Sequence, residues 1–156
     1  NHVSGRLKVA PEHTSDTPLK IMRKPSFDQF QRFNAIFDEL NKKHRLNQQL
    51  IPYFISSHPG CTDEDMAELA ATTKELNFKL EQVQDFTPSP MTLATEIYYT
   101  GYHPYTLEPV YTAKSSQQKN DQRQFFFWYD RKQKGSIINK LKRMGREDLI
   151  QKLYFR

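Results

Sequence analysis

Phe27, Phe30, Phe33, Phe37 and Leu40 recur three and four residues apart, with Ile36 beside them and polar residues on the remaining positions. That spacing predicts an amphipathic helix. Ser26 and Gln29, just after Pro25, stand at the separation of a capping box. Lys42, Lys43 and His44 close the last turn, where cations suit the helix dipole. The period changes on either side. Leu50–Ile55 is almost continuously apolar and Leu80–Phe86 alternates in polarity, so both read as strands, as does the short run Arg6–Ala10. Pro52 is a blemish in its strand, since Pro cannot donate to a ladder. Thr17-Pro18 opens a short helix through about Met22. Thr62 caps a second long one that runs to about Leu76, and a further short helix falls near Leu93–Tyr99.

The order strand, helix, strand, helix, strand predicts parallel pairing through helical crossovers, hence an α/β fold. Three such strands do not close a barrel and leave an edge unpaired, which makes self-association through that edge an expectation. The layout matches a slice of an α/β barrel over residues 1–100, followed by a basic helical extension over 101–156. Within the extension, 100–113 reads as irregular, Gln117–Asp130 as one helix, and Ser136–Met144 and Arg146–Phe155 as two more, broken at Gly145.

Composition changes this picture in three ways. Aromatic residues make up 13% of the 156 positions, enough to argue against disorder despite a mean hydropathy of −0.82. No apolar run is long enough to cross a bilayer, and the lone cysteine fits a reducing, cytoplasmic setting. The net charge of +5 is unevenly spread: residues 1–113 hold 11 Lys/Arg against 14 Asp/Glu, whereas 114–156 hold 12 against 4. The basic tail therefore invites an anionic partner. Asn1 rather than Met opens the sequence, which reads as a piece of a longer polypeptide.

The candidate chemistry sits where the strands end. Ile55-Ser56-Ser57-His58-Pro59-Gly60-Cys61-Thr62 runs from a strand through a tight turn into a capped helix. In α/β folds such turns carry ligands. Glu12-His13 and Thr87-Pro88-Ser89 occupy the equivalent ends of the other two strands. The same residues are equally ordinary turn formers and caps. His13, His58 and Cys61 match no compact zinc spacing, and Cys61 with His58 as base lacks an orienting group. Phe125-Phe126-Phe127-Trp128-Tyr129 in the basic tail offers bases a stacking surface. On a helix, though, five consecutive side chains point all around, which favours core packing. Ile138–Leu153 has the outline of a helical hairpin, a weak match to a helix-turn-helix.

Arg6-Leu7-Lys8-Val9-Ala10-Pro11-Glu12-His13, Leu19-Lys20-Ile21-Met22-Arg23-Lys24 and His58-Pro59-Gly60-Cys61-Thr62 with Asp65-Met66 resemble the second half of a radical S-adenosylmethionine (SAM) barrel. The likeness is to the YgiQ-type proteins and extends over essentially the whole chain. It implies a partial TIM-like barrel of six parallel strands, with this chain giving the fourth to sixth. It also implies a [4Fe–4S] cluster on three cysteines that cleaves SAM reductively to a 5′-deoxyadenosyl radical. The resemblance places Glu12 near the SAM ribose and Arg23 toward the SAM carboxylate. Ser56, Ser57 and His58 fall in the turn bordering the pocket, and Phe86 and Thr87 beside adenine.

The Cys-x-x-x-Cys-x-x-Cys cluster motif is absent from this chain, as is the early glycine-rich strand. The expectation is a C-terminal fragment that shapes part of the SAM and substrate pocket. Alone it would be inactive and bind neither cluster nor SAM; its partner would be the rest of the barrel, its substrate unknown or RNA. The alternative reading is a nucleic-acid-binding module in the basic aromatic tail.

Overall fold

A computed structural model describes residues 5–155. A parallel sheet of order β1-β2-β3 stands at its centre, formed by β1 (Arg6–Glu12), β2 (Gln49–Ser56) and β3 (Gln82–Asp85). Leu7 pairs with Leu50, and Phe54 with Val83. The helices between are α1 (Asp16–Ile21) and α2 (Phe27–Lys43) after β1, α3 (Asp63–Glu75) after β2, and α4 (Leu93–Thr100) after β3. The described residues thus form a mixed α/β fold with a three-stranded parallel sheet.

Side-chain periodicity explains most of these elements. In α2, Phe27 and Phe30 turn inward, with Phe27 packing on Phe54 of β2 at 6.3 Å between ring centroids. Phe33, Ile36 and Leu40, further along, remain exposed. Ser26 is the N-cap residue, but its side chain makes no capping bond, so the expected box with Gln29 does not form. The box forms instead at α3. There Thr62 Oγ1 accepts from the Asp65 N–H at 3.2 Å, and the Asp65 carboxylate accepts from the Thr62 N–H at 2.8 Å. Pro52 is tolerated within β2, opposite Val9 at the last position before the register with β1 slips.

The tail departs from its expected form. The single helix expected over Gln117–Asp130 is broken. Helix α5 (Ser116–Arg123) gives way to a 3-10 turn at Gln124–Phe127. That tighter winding carries Phe125 and Phe126 into full burial beside α3. Phe125 and Phe126 are therefore core and closed to bases, Phe127 and Trp128 pack partly against that core, and Tyr129 is exposed. Helix α6 (Arg131–Arg143) starts five residues before Ser136, because the Asp130 side chain accepts from the Lys132 N–H and caps it. Helix α7 (Glu147–Tyr154) then returns along α3. Arg146 ties this return, pairing with Glu64, Glu68 and Asp148. One apolar cluster runs from Leu19 through Met66 and Leu69 to Leu149 and Leu153, so sheet, α3 and tail share a core. Among the described residues, no helix is long and apolar enough to cross a membrane.

Candidate functional site

The carboxyl ends of the three strands open into a cavity of about 460 Å³. Glu12, Arg23, His58, Phe86 and Thr87 all line it, although they are spread over 76 positions of sequence. Ser56 and Ser57 do not line it and instead belong to the turn that borders it.

Each lining residue arrives by an identifiable local device. The β1–β2 register shifts between Val9 and Glu12, a bulge that re-aims the end of the strand. Glu12 itself takes φ +68°, closed by the His13 N–H donating to the Pro11 carbonyl at 2.9 Å. Its carboxylate meets Lys24 Nζ at 3.4 Å. Helix α1 ends in a Schellman arrangement: the Lys24 N–H donates to the Leu19 carbonyl and the Arg23 N–H to that of Lys20. Arg23 thus fills, at φ +56°, a position that glycine usually takes. Left-handed backbone does not by itself mark a site, because Arg45 and Asn77 adopt it at other helix ends. What sets Arg23 apart is that it lines the cavity at the strand ends.

His58 is buried and stands edge-on to Phe86, with ring centroids 4.9 Å apart. Its Nδ1 lies 3.0 Å from the Pro59 carbonyl, which only a protonated Nδ1 can satisfy, so the neutral ring keeps Nε2 as an acceptor. Burial pushes its pKa below the ordinary histidine value, partly opposed by the Pro59 carbonyl. After it, Gly60 takes φ +84°, and a Cβ there would come 2.6 Å from Ile21 Cδ1. The left-handed φ is what favours glycine here, since the end of the Ile21 side chain could turn aside.

Ser56 and Ser57 anchor the turn in two ways. Ser56 Oγ donates to Asp85 Oδ1 at 2.5 Å, and Arg123 from the tail donates to the other carboxylate oxygen at 3.1 Å. The Ser57 N–H, at φ +60°, donates to Gln122 Oε1 at 2.8 Å, and Gln122 Nε2 donates to the Cys61 carbonyl at 2.8 Å. Gln122 is fully buried and spans the whole Ser57–Cys61 turn. Ser57 Oγ is buried with no hydrogen-bond partner among the described residues.

Of His13, His58 and Cys61, weighed as metal ligands, His13 and Cys61 are buried and lie beside each other rather than in the cavity, whereas His58, weighed as the base for Cys61, lines it. Among the described residues no group of three or more His, Cys, Asp or Glu side chains could hold a metal ion.

Sequence reasoning passed over Lys24 and Gln122. Lys24 sits one position past Arg23 and shares its loop, a signal that was present. Gln122 lies in a polar stretch where nothing local separates a buried amide from exposed ones.

Residues 81–152 match the family described as a domain of unknown function (DUF3362). The chain is 68% identical over 154 residues to a UPF0313 protein of Bacteroides thetaiotaomicron, covering 99% of this chain and 25% of that protein. It is 66% identical over 155 residues to one of Porphyromonas gingivalis, covering 99% and 24%. With one of Methanocella arvoryzae it shares 43% over 149 residues, covering 96% and 25%. The chain spans about a quarter of the length of the curated relatives it matches. No solved structure matches it. Along nearly its whole length the chain is thus similar to a segment of UPF0313 proteins, which fits a family of the YgiQ/UPF0313 kind.

Proposed function

We propose that the chain is the C-terminal part of a longer radical SAM enzyme of the YgiQ type, giving the last three strands of its partial barrel and one wall of its SAM pocket. The observation that carries this reading is the cavity at the strand ends. Five of the seven side chains that the resemblance assigns to SAM line it, drawn from β1, the end of α1, the β2 turn and the end of β3.

The residues present suit a SAM molecule in chemical type. Arg23 supplies a guanidinium for a carboxylate. Glu12 supplies acceptors for ribose hydroxyls, and Phe86 with His58 supplies an aromatic wall for adenine. They do not suit an iron–sulfur cluster. Cys61 is the one cysteine of the chain and is committed to His13, with its thiol held protonated by burial. Cluster ligands belong elsewhere in the parent protein, and no step through the cluster is assigned to this chain. Bound SAM supplies the radical chemistry. This chain's share is to orient the cofactor and keep water from one side of it. The edge of β1 then receives the remainder of the barrel.

Ligand-observed NMR with SAM tests the reading. No cofactor is expected to stay bound to the chain alone, but with SAM in large excess its incomplete pocket should still give weak, saturable contact at the adenine and methionine ends, because this wall carries groups for both. Arg23→Ala should weaken it about tenfold, the scale of one lost charge-assisted bond. No saturable contact, or contact indifferent to Arg23→Ala and Phe86→Ala alike, would sink it.

A further inference from the structure

A ridge beside the cavity exposes far more aromatic surface than a loop needs. Tyr99 is 68%, Tyr102 54% and Tyr105 74% exposed, with Met91 and Leu107 exposed among them. The ridge is nonetheless well held. Gly101 ends α4 at φ +78°, and Tyr102 bridges Pro109. The His103 N–H donates to the Glu108 carbonyl at 2.9 Å, and the Val110 N–H to that of Gly101 at 2.8 Å. His103 Nδ1 accepts from the Tyr105 and Thr106 N–H groups. Aromatic side chains on a held backbone bind with little ordering cost.

The ridge is joined to the cavity by rings. His58 meets Phe86 at 4.9 Å between centroids, Phe86 meets Tyr98 at 5.7 Å, and Tyr98 meets Tyr99 at 5.3 Å. A second groove, lined by Met91, Tyr99 and Tyr105, shares Thr92 and Leu93 with the cavity wall. Two cations sit on this path. Lys119 Nζ lies 5.0 Å from the centre of the Tyr98 ring, and Lys114 Nζ donates to the Tyr99 carbonyl at 3.1 Å. Neither is paired with a carboxylate among the described residues. Glu96 and Glu108 flank the ridge, and the segment 114–156 as a whole carries 12 Lys/Arg against 4 Asp/Glu.

Exposed rings beside two lysines that meet no carboxylate among the described residues suit a strand whose bases stack while its phosphates meet the cations, Glu96 and Glu108 being the opposing charges nearby. We infer that the ridge Tyr99–Tyr105, with Lys114 and Lys119, docks single-stranded RNA and leads it toward the cavity. The exposed Ser89 at the cavity rim gives a ribose 2′-OH a hydroxyl partner, which a deoxyribose strand would leave unused. As an assignment of substrate class this rests on the SAM-pocket reading; as a binding surface it does not.

Fluorescence anisotropy tests it with a labelled single-stranded RNA of roughly 12 nucleotides, within the usual footprint of such surfaces. The variant Tyr99→Ala/Tyr105→Ala should bind about tenfold more weakly or worse. Both side chains are mostly exposed, so the fold is retained, as circular dichroism would verify. Lys114→Gln/Lys119→Gln should lower the slope of log affinity against log salt by about 1.4. Lys132→Gln/Lys142→Gln, on exposed α6 positions, should change affinity less than the tyrosine pair. The inference is overturned by absent RNA binding, by equal affinity for DNA of the same sequence, or by a loss that follows Lys132 and Lys142 but not the tyrosines. SAM contact measured on the same samples separates the two readings. RNA binding without SAM contact leaves the ridge standing and removes the pocket; SAM contact without RNA binding does the reverse.

Discussion

His13 Nε2 lies 3.3 Å from Cys61 Sγ, joining the end of β1 to the start of α3 in the interior. The direction of the bond follows from the other ring nitrogen. His13 Nδ1 accepts the Thr14 and Ser15 N–H groups, each at 3.0 Å, so the proton of the neutral ring is on Nε2 and is given to sulfur. The thiol in turn faces the Thr62 carbonyl at 3.7 Å. Two residues that look reactive in sequence form a neutral brace.

That brace should make stability depend on acidity. Burial lowers the His13 pKa from 6.5 to about 4, with Asp65 opposing the shift and His58 adding to it. Between those values the unfolded chain binds the extra proton, so stability rises with pH. The full contribution is present above 6.5 and is lost as pH falls toward about 4. It amounts to about 3 kcal/mol, and burial of His58 acts in the same direction. Urea unfolding measured from neutral to mildly acid solution should show the midpoint falling across this window. A flat profile would contradict the neutral assignment.

The Cys61 thiol should be inert. It is fully buried, and burial with nearby Asp65 raises its pKa well above the ordinary value. Iodoacetamide at mildly alkaline pH should label the folded chain far more slowly than the unfolded one, because the thiolate is the reacting species. Equal rates would mean that the turn opens readily.

Gln122→Leu should be costly. The change keeps the approximate side-chain volume but strips the Ser57 N–H and the Cys61 carbonyl of their partner inside the protein. Two orphaned backbone groups imply a loss of about 2–5 kcal/mol. Thermal unfolding would show it, and SAM contact at His58 should weaken with it because the turn loses its span. A loss below about 0.5 kcal/mol would mean that the clamp is idle.

Arg23→Gly should separate stability from binding. Its left-handed conformation costs a side-chain-bearing residue about 1 kcal/mol, which glycine avoids. Unfolding should therefore shift to higher denaturant while SAM contact weakens. A variant that loses stability would show that Arg23 does more for the fold than its backbone suggests.

The strand–turn–helix core was legible because each signal was local and several agreed. Pro59-Gly60 made the turn, Thr62 capped the helix, and the alternation in Leu80–Phe86 marked a third strand, which the structure trims to Gln82–Asp85. Parallel pairing followed from helix-bearing connections. The tail was less legible, because Phe125 and Phe126 reach burial through a 3-10 turn that the demand for core contacts imposes and no periodicity announces. Asp130 was a readable cap that went unread. Ser26 shows the converse: the capping-box letters are present, but the side chain makes no cap. His13 and Cys61 came under suspicion by residue type, and only their burial and tautomer reveal a brace. Gln122 could not be found locally at all, since its partners lie 61 and 65 residues away.

That long reach sets an order of events during synthesis. The turn carrying His58 leaves the ribosome well before Gln122 does, so its Ser57 N–H and Cys61 carbonyl must wait, hydrated, for the amide that will join them. The mouth of the cavity is therefore finished late. A product released before position 122 would lack both this amide and the tail side chains that complete the core against α3, which ties ligand competence to completion of the basic extension.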